Sequence, residues 1–279
     1  MKRIIVLALV ALLPSCSLLQ GEAVDRRETL AQVSTIDAIL AGDYDGKVSC
    51  RRLLRFGGFG IGTFHALDGE MIVLDGTVYR VDAAGEVHVL AKDVKTPFAC
   101  VTSFEPDMEI AVTSSGTDVA LTNDGCPEIF PADALHADRA KEAVDSICGT
   151  PNHFLAVRID GAFSYVRTRS VPRQKKPYPR LVEVTRNQPT FELRNVKGTI
   201  VGFRCPAFVK GINVPGYHLH FITEDRTGGG HVLDFKLIKG EIGVDVTPNF
   251  YLMLPAGEGA FEELDLTVDR EKEVREAER

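Results

Sequence analysis

The chain has 279 residues, 44% of them hydrophobic and 25% charged, and a net charge of −7. That length suits one large domain or two small ones with a true core, and the composition is that of an ordinary globular protein. The negative balance argues against a general nucleic-acid binder.

Lys2 and Arg3 give a basic start, and Ile4 to Leu13 form an apolar run too short to span a bilayer. Such a run fits the central region of a secretory signal. Leu13-Pro14-Ser15-Cys16 resembles a bacterial lipoprotein cleavage box. Residues 1–16 are therefore expected to be a signal peptide and 17–30 a polar tether. The mature protein would be exported, periplasmic or at the cell surface, and lipid-anchored through Cys16. Export would put Cys50, Cys100, Cys126, Cys148 and Cys205 in an oxidising compartment. Cys126 and Cys148 bracket a predicted helix and are placed to bridge across it. Cys100 and Cys205 fall in apolar, strand-like runs and read as buried thiols. No C-x-x-C occurs, so a thiolate zinc site or thioredoxin-like chemistry has no support.

After the tether, Ser34 followed by Asp37 resembles a capping box opening a short helix to about Ala41, stopped by Gly42. Residues 60–90 read as a β-meander. Its turns are Asp68-Gly69, Asp75-Gly76 and Gly85, and Phe98–Phe104 adds a strand. Residues 107–130 show less regularity. Pro131–Ile147 carries a helical period that Gly149 and Pro151 end. Phe154–Ile159 and Ala162–Arg169 read as a hairpin about Asp160-Gly161, and Ser170–Pro179 as a basic, proline-rich loop. Strands are expected again over 190–205, 217–237 and 243–254, before a charged tail. The fold class is α+β: two mixed-sheet parts built largely from hairpins with few helices, divided at 31–184 and 185–279.

The stretch Gly216-Tyr-His-Leu-His-Phe-Ile carries the clearest chemistry. Side chains two apart on a strand share a face, so His218 and His220 point together. The turn Thr223–Gly230 then folds His231 back beside them. Three imidazoles from two paired strands form a zinc-type ligand set with open coordination positions. Satisfied or exposed histidines are the plainer reading of an H-x-H pair alone. Glu70 shares a strand face with Ile72 and Leu74, where a carboxylate needs a partner unless the strand end is solvated. Arg167, Arg169, Arg173, Lys175, Lys176 and Arg180 form a run without acids. One of these arginines over a metal cavity would grip a carboxylate; a solvated basic loop is the simpler reading.

Taken together, these residues resemble the acetolactate decarboxylase family. The matching stretches are Phe59-Gly-Ile-Gly-Thr-Phe-His-Ala-Leu-Asp-Gly-Glu70, Thr96-Pro-Phe-Ala and Ala156-Val-Arg-Ile-Asp-Gly-Ala-Phe. Val166-Arg-Thr-Arg-Ser-Val, Lys197-Gly-Thr-Ile-Val-Gly-Phe and the histidine block follow in order. The resemblance implies Zn2+ on His218, His220 and His231, two active-site glutamates at Glu70 and in the tail, and an active-site arginine at Arg169. Glu278 is the tail assignment, with Glu276 as the alternative. Thr63 is implied as a substrate contact or a support for one. The implied reaction is zinc-dependent decarboxylation of 2-acetolactate to acetoin and carbon dioxide through a metal-stabilised enediolate, in a homodimer, with no organic cofactor. A competing reading is an exported metal-binding protein that keeps the scaffold without the activity. No H-E-x-x-H supports a zinc hydrolase.

Overall fold

The computed structural model describes residues 27–278 apart from 256 and 258. The proposed signal peptide, Cys16 and most of the tether lie outside the described residues. Thr29 and Leu30, assigned to the tether, already belong to strand β1 (Thr29–Val33). Helix α1 (Ile36–Leu40) follows. Its cap is Thr35, whose side chain accepts from the Ala38 N–H, and not Ser34. Next come β2 (Val48–Ser49) and α2 (Cys50–Leu53). The expected meander is present as β3 (Phe59–Thr63), β4 (Glu70–Leu74), β5 (Thr77–Val81) and β6 (Val87–Val89). β7 (Lys95–Thr96) and β8 (Ala99–Thr102) complete this part.

The irregular reading of 107–130 is corrected. β9 (Met108–Ser114), β10 (Asp118–Asn123) and β11 (Cys126–Pro131) form a second antiparallel meander. Ile110 and Val112 alternate into its core, as do Val119 and Leu121, and Asp124-Gly125 turns with both φ angles positive. β12 (Leu135–His136) precedes helix α3 (Ala137–Cys148), which starts later than expected because Pro131 still belongs to β11. Gly149, in the left-handed region, caps the helix.

The expected hairpin at Asp160-Gly161 is also corrected. Leu155–Arg169 is one strand, β13. Gly161 pairs with Gly198 on one neighbouring strand and Gly240 on the other, and a Cβ there would lie 2.4 Å from the Lys239 carbonyl oxygen. The glycine permits close approach of three strands instead of a turn. The basic loop leads to α4 (Leu181–Thr185), then β14 (Thr190–Cys205), β15 (Gly216–Thr223), β16 (Gly229–Val246), β17 (Asn249–Met253) and α5 (Glu271–Ala277).

Two large sheets result. The first has the order β17-β1-β8-β3-β4-β5-β6. The second runs β11-β10-β9-β16-β13-β14-β15, with β12 also on β16. β15 pairs back onto β16, so β16, β13, β14 and β15 close into a ring at one end. The division at 184/185 does not follow these sheets: β9 to β13 belong with β14 to β16, and β17 returns to pair with β1. Mostly-β α+β architecture holds.

Side-chain parity explains the layers. On β4, Ile72 and Leu74 face the core between the two sheets, while Met71 and Val73 face a separate core on the outer side. On β15, Phe221 and Leu219 enter the interior of the second sheet, while Ile222 joins the intersheet core. Even-numbered residues of both strands therefore meet in one layer. All five described cysteines are free thiols. Cys126 and Cys148 are unbridged; Cys126 opens the edge strand β11 and Cys148 ends α3. Cys100 and Cys205 are buried, as expected.

The turn before His231 has little tolerance. Gly230 has φ +134°, and a Cβ there would stand 2.4 Å from the Arg169 carbonyl oxygen. Gly230→Ala is expected to destabilise the protein by about 2–3 kcal/mol. Chemical denaturation would read this as a lowered midpoint, and an unchanged midpoint would contradict it.

Candidate active site

Strand register brings the functional side chains together. His231 on β16 is the direct partner of His220 on β15 and of Arg169 on β13. These three residues form one row across three strands, and neighbours in such a row share a face. His218 lies one pleat along β15 on the same face. The ligand atoms of His218, His220 and His231 all lie within 4.8 Å of one another. His220 Nε2 and His218 Nε2 are 3.2 Å apart. Nitrogens sharing a tetrahedral zinc would be about 3.3 Å apart. His220 and His231 are buried.

The first sheet supplies the other side. His220 Nδ1 donates to the Met71 carbonyl oxygen of β4 at 2.8 Å, which leaves Nε2 free to act as a ligand. Glu70, the residue before Met71, reaches across so that Oε2 is 3.6 Å from His220 Nε2. The tail closes the arrangement. Glu278 Oε2 is 3.7 Å from His231 Nε2 and 3.9 Å from His218 Nε2. That oxygen is buried without a hydrogen-bond partner. Glu276, the alternative, instead faces Arg186 and Lys272 near the surface. The tail helix is held by Arg180, which donates to Glu273, and by Lys210, which bonds Asp269 and Glu271. Val274 and Ala277 are buried beneath it.

The electrostatics follow from burial. Glu70 is raised to about 7, mainly by desolvation, with Arg169 opposing and Glu278 adding to the shift. Glu278 is raised to about 7 by desolvation, against Arg169. His218 falls to about 3, first through desolvation and then through the Arg169 charge. His220 and His231 are also pushed well below the usual imidazole value, again mainly by burial. All three rings are therefore neutral, as metal ligands must be. A buried carboxylate oxygen without a partner, beside two of three clustered neutral imidazoles, is a donor set that fits a dication such as zinc.

Most of these residues line a cavity of about 50 Å³, with His220 behind its wall. Its polar wall is Thr63, Glu70, Arg169, Thr185, His218, His231 and Glu278; the apolar wall includes Ile36, Ile39, Leu67, Phe98, Val171 and Leu181. Thr63 Oγ1 donates to the Gly69 carbonyl oxygen at 2.8 Å, fixing the turn that leads into Glu70. Arg169 is buried, and its Nη1 donates to Gln188 Oε1 at 2.9 Å. The rest of the basic run is dispersed: Arg173 pairs with Asp68 and Lys176 with Asp45. A second grouping, Asp82, Glu86 and His88, is a capped surface turn. Asp82 Oδ1 accepts the Ala84 and Glu86 N–H groups, and Oδ2 bonds His88.

A family model for alpha-acetolactate decarboxylase matches residues 30–131 and 129–268. The chain belongs to the alpha-acetolactate decarboxylase family. It is 42% identical over 252 residues to the alpha-acetolactate decarboxylase of Methanosarcina mazei, covering 90% of this chain and 81% of the relative. It is 41% identical over 224 residues to that of Bacillus subtilis, covering 80% of each. The crystal structure of alpha-acetolactate decarboxylase from Bacillus subtilis strain 168 superimposes with a TM-score of 0.80 at 36% identity, covering 90% of this chain and 99% of that one. As a member of this family the chain is an enzyme of the carboxy-lyase class. In this alpha-acetolactate decarboxylase fold, sequence reasoning missed the apolar wall from α1 and α4, and Gln188. Nothing in their local pattern separates these residues from ordinary core and loop positions.

Proposed function

We propose that this protein decarboxylates 2-acetolactate to acetoin and carbon dioxide at a zinc ion held by His218, His220 and His231. The substrate is argued from the relatives' shared activity; the metal is argued from the convergence of three neutral imidazoles, with two carboxylates beside them, at the wall of one cavity. Glu70 and Glu278 would complete or orient the coordination. When bound there, zinc supplies a Lewis acid that draws off the electron pair released as the carboxyl group departs.

The chain's own groups perform the remaining work. Arg169 carries a fixed positive charge and a planar fork suited to the substrate carboxylate. Its role is to bind and orient. Clamping alone holds ground state and transition state alike and would not raise turnover. The C–C bond breaks, carbon dioxide leaves, and the remaining carbon needs one proton to become acetoin. Glu70 and Glu278 flank the histidines, and one of them is placed to deliver it. The apolar wall excludes bulk water from the charge that develops. Export with a lipid anchor at Cys16, and assembly as a homodimer, belong to the same proposal.

The deciding assay is direct. Purified protein is given racemic acetolactate, and acetoin is measured with and without a chelator. Acetoin formed only in the chelator-free sample is expected. Bound zinc without acetoin would favour the metal-binding reading, and full activity after metal removal would exclude the ion.

Proton counting gives a separate check. Glu70 and Glu278 are partly protonated below pH 7 in the metal-free protein, while the imidazoles are already neutral. A dication lowers the carboxyl pKa values, so its uptake at pH 6 should release about one to two protons, falling toward none above pH 8. Calorimetry in buffers of different ionisation enthalpy measures this number. Release that does not change with pH would mean the carboxylates do not face the ion.

A further inference from the structure

We infer that Gln188 is a positioning residue that orients the Arg169 guanidinium and thereby sets how tightly a carboxylate-bearing ligand is held. The inference rests on the reading of Arg169 as a carboxylate clamp. Among the described residues, the hydrogen bond the guanidinium makes is to Gln188 Oε1, at 2.9 Å from Nη1. Arg169 Nε is buried with no partner. Arg169 is 4% exposed, so water does little to fix its direction. A buried guanidinium with two carboxylates nearby, Glu70 and Glu278, has competing directions in which to turn.

The backbone makes Gln188 a firm anchor. Arg169 is paired in the ladder with Thr190, two residues after Gln188. The Pro189 carbonyl oxygen accepts the Ser170 N–H at 3.3 Å. The two residues after Gln188 are therefore tied to the end of β13, and the Gln188 N–H donates to the Thr185 carbonyl oxygen at 3.4 Å. Thr185, the last residue of α4, lines the cavity. Side-chain chemistry also matters. A carboxamide oxygen orients the fork without discharging it; a carboxylate there would form its own forked pair and oppose a ligand carboxylate.

The test uses zinc-loaded protein and two probes of similar size, lactate and propane-1,2-diol, with affinities measured by calorimetry or competition. Gln188→Ala is expected to weaken lactate about 10-fold and Gln188→Glu about 50-fold or more, with the diol changed less than about 2-fold. Zinc content and melting temperature, measured on the same samples, should match the parent protein. In an Arg169→Ala background, Gln188→Ala should add less than about 2-fold, because its effect passes through the arginine. A full effect of Gln188→Ala in that background, an equal loss for both probes, or no loss with either variant would overturn the inference. Arg169→Ala that leaves the lactate-to-diol ratio unchanged would instead overturn the clamp itself, whatever Gln188 does.

Discussion

With zinc at the proposed site, replacing His220 with alanine is expected to remove the metal and the activity together, with decarboxylation falling by ~10³-fold or more. The size follows from losing a Lewis acid worth several kcal/mol of transition-state stabilisation. His220 is the best-fixed of the three rings: it is fully buried, held by the Met71 carbonyl and flanked by His231 in the ladder. The variant also removes the ring's hydrogen bond to the Met71 carbonyl and opens a cavity, which adds about 2–4 kcal/mol of destabilisation. Zinc content and circular dichroism must therefore be read on the same sample as the rate. A folded His220→Ala protein with stoichiometric zinc and the parent rate would remove this residue from the site.

Glu278→Gln is expected to lower turnover by ~10²-fold or more, while Glu276→Gln stays within about 2-fold. The contrast comes from two side chains on one tail. Glu278 Oε2 is buried without a partner and faces two imidazoles, whereas Glu276 meets Arg186 and Lys272 near solvent. The amide keeps the shape of Glu278 but can neither carry charge nor move a proton. Steady-state rates of the two variants settle the assignment: equal losses, or a larger loss at position 276, would contradict the geometry.

The histidine set was legible because its geometry is local. A two-residue strand period and one glycine turn decide where three rings go, and both survive in the folded chain. Glu70 was harder. Parity gives its face correctly, but every residue of β4 is buried, so no contrast between faces marks a special position. The tail glutamate came from family likeness, because seven residues of charged helix say nothing about what they pack against. The run of basic residues did not say which arginine reaches the site. Register shifts near Phe163 and between Arg167 and Thr168 turn the strand, so Arg167 is exposed while Arg169 enters the cavity. At Gly161 an Asp-Gly pair imitated a hairpin, where the real constraint was the glycines of two strands far away in sequence.

One pairing has consequences for how the molecule forms. β1 lies parallel to β17, so the first sheet is finished only after the chain has passed through the whole of the second. An amino-terminal fragment ending near residue 184 would expose the unsatisfied backbone of β1 and lack three of the ring's four strands. Folding is thus expected to be a single late, concerted event that depends on distant contacts, as is usual for slow β topologies. Neither half is expected to fold as an independent module.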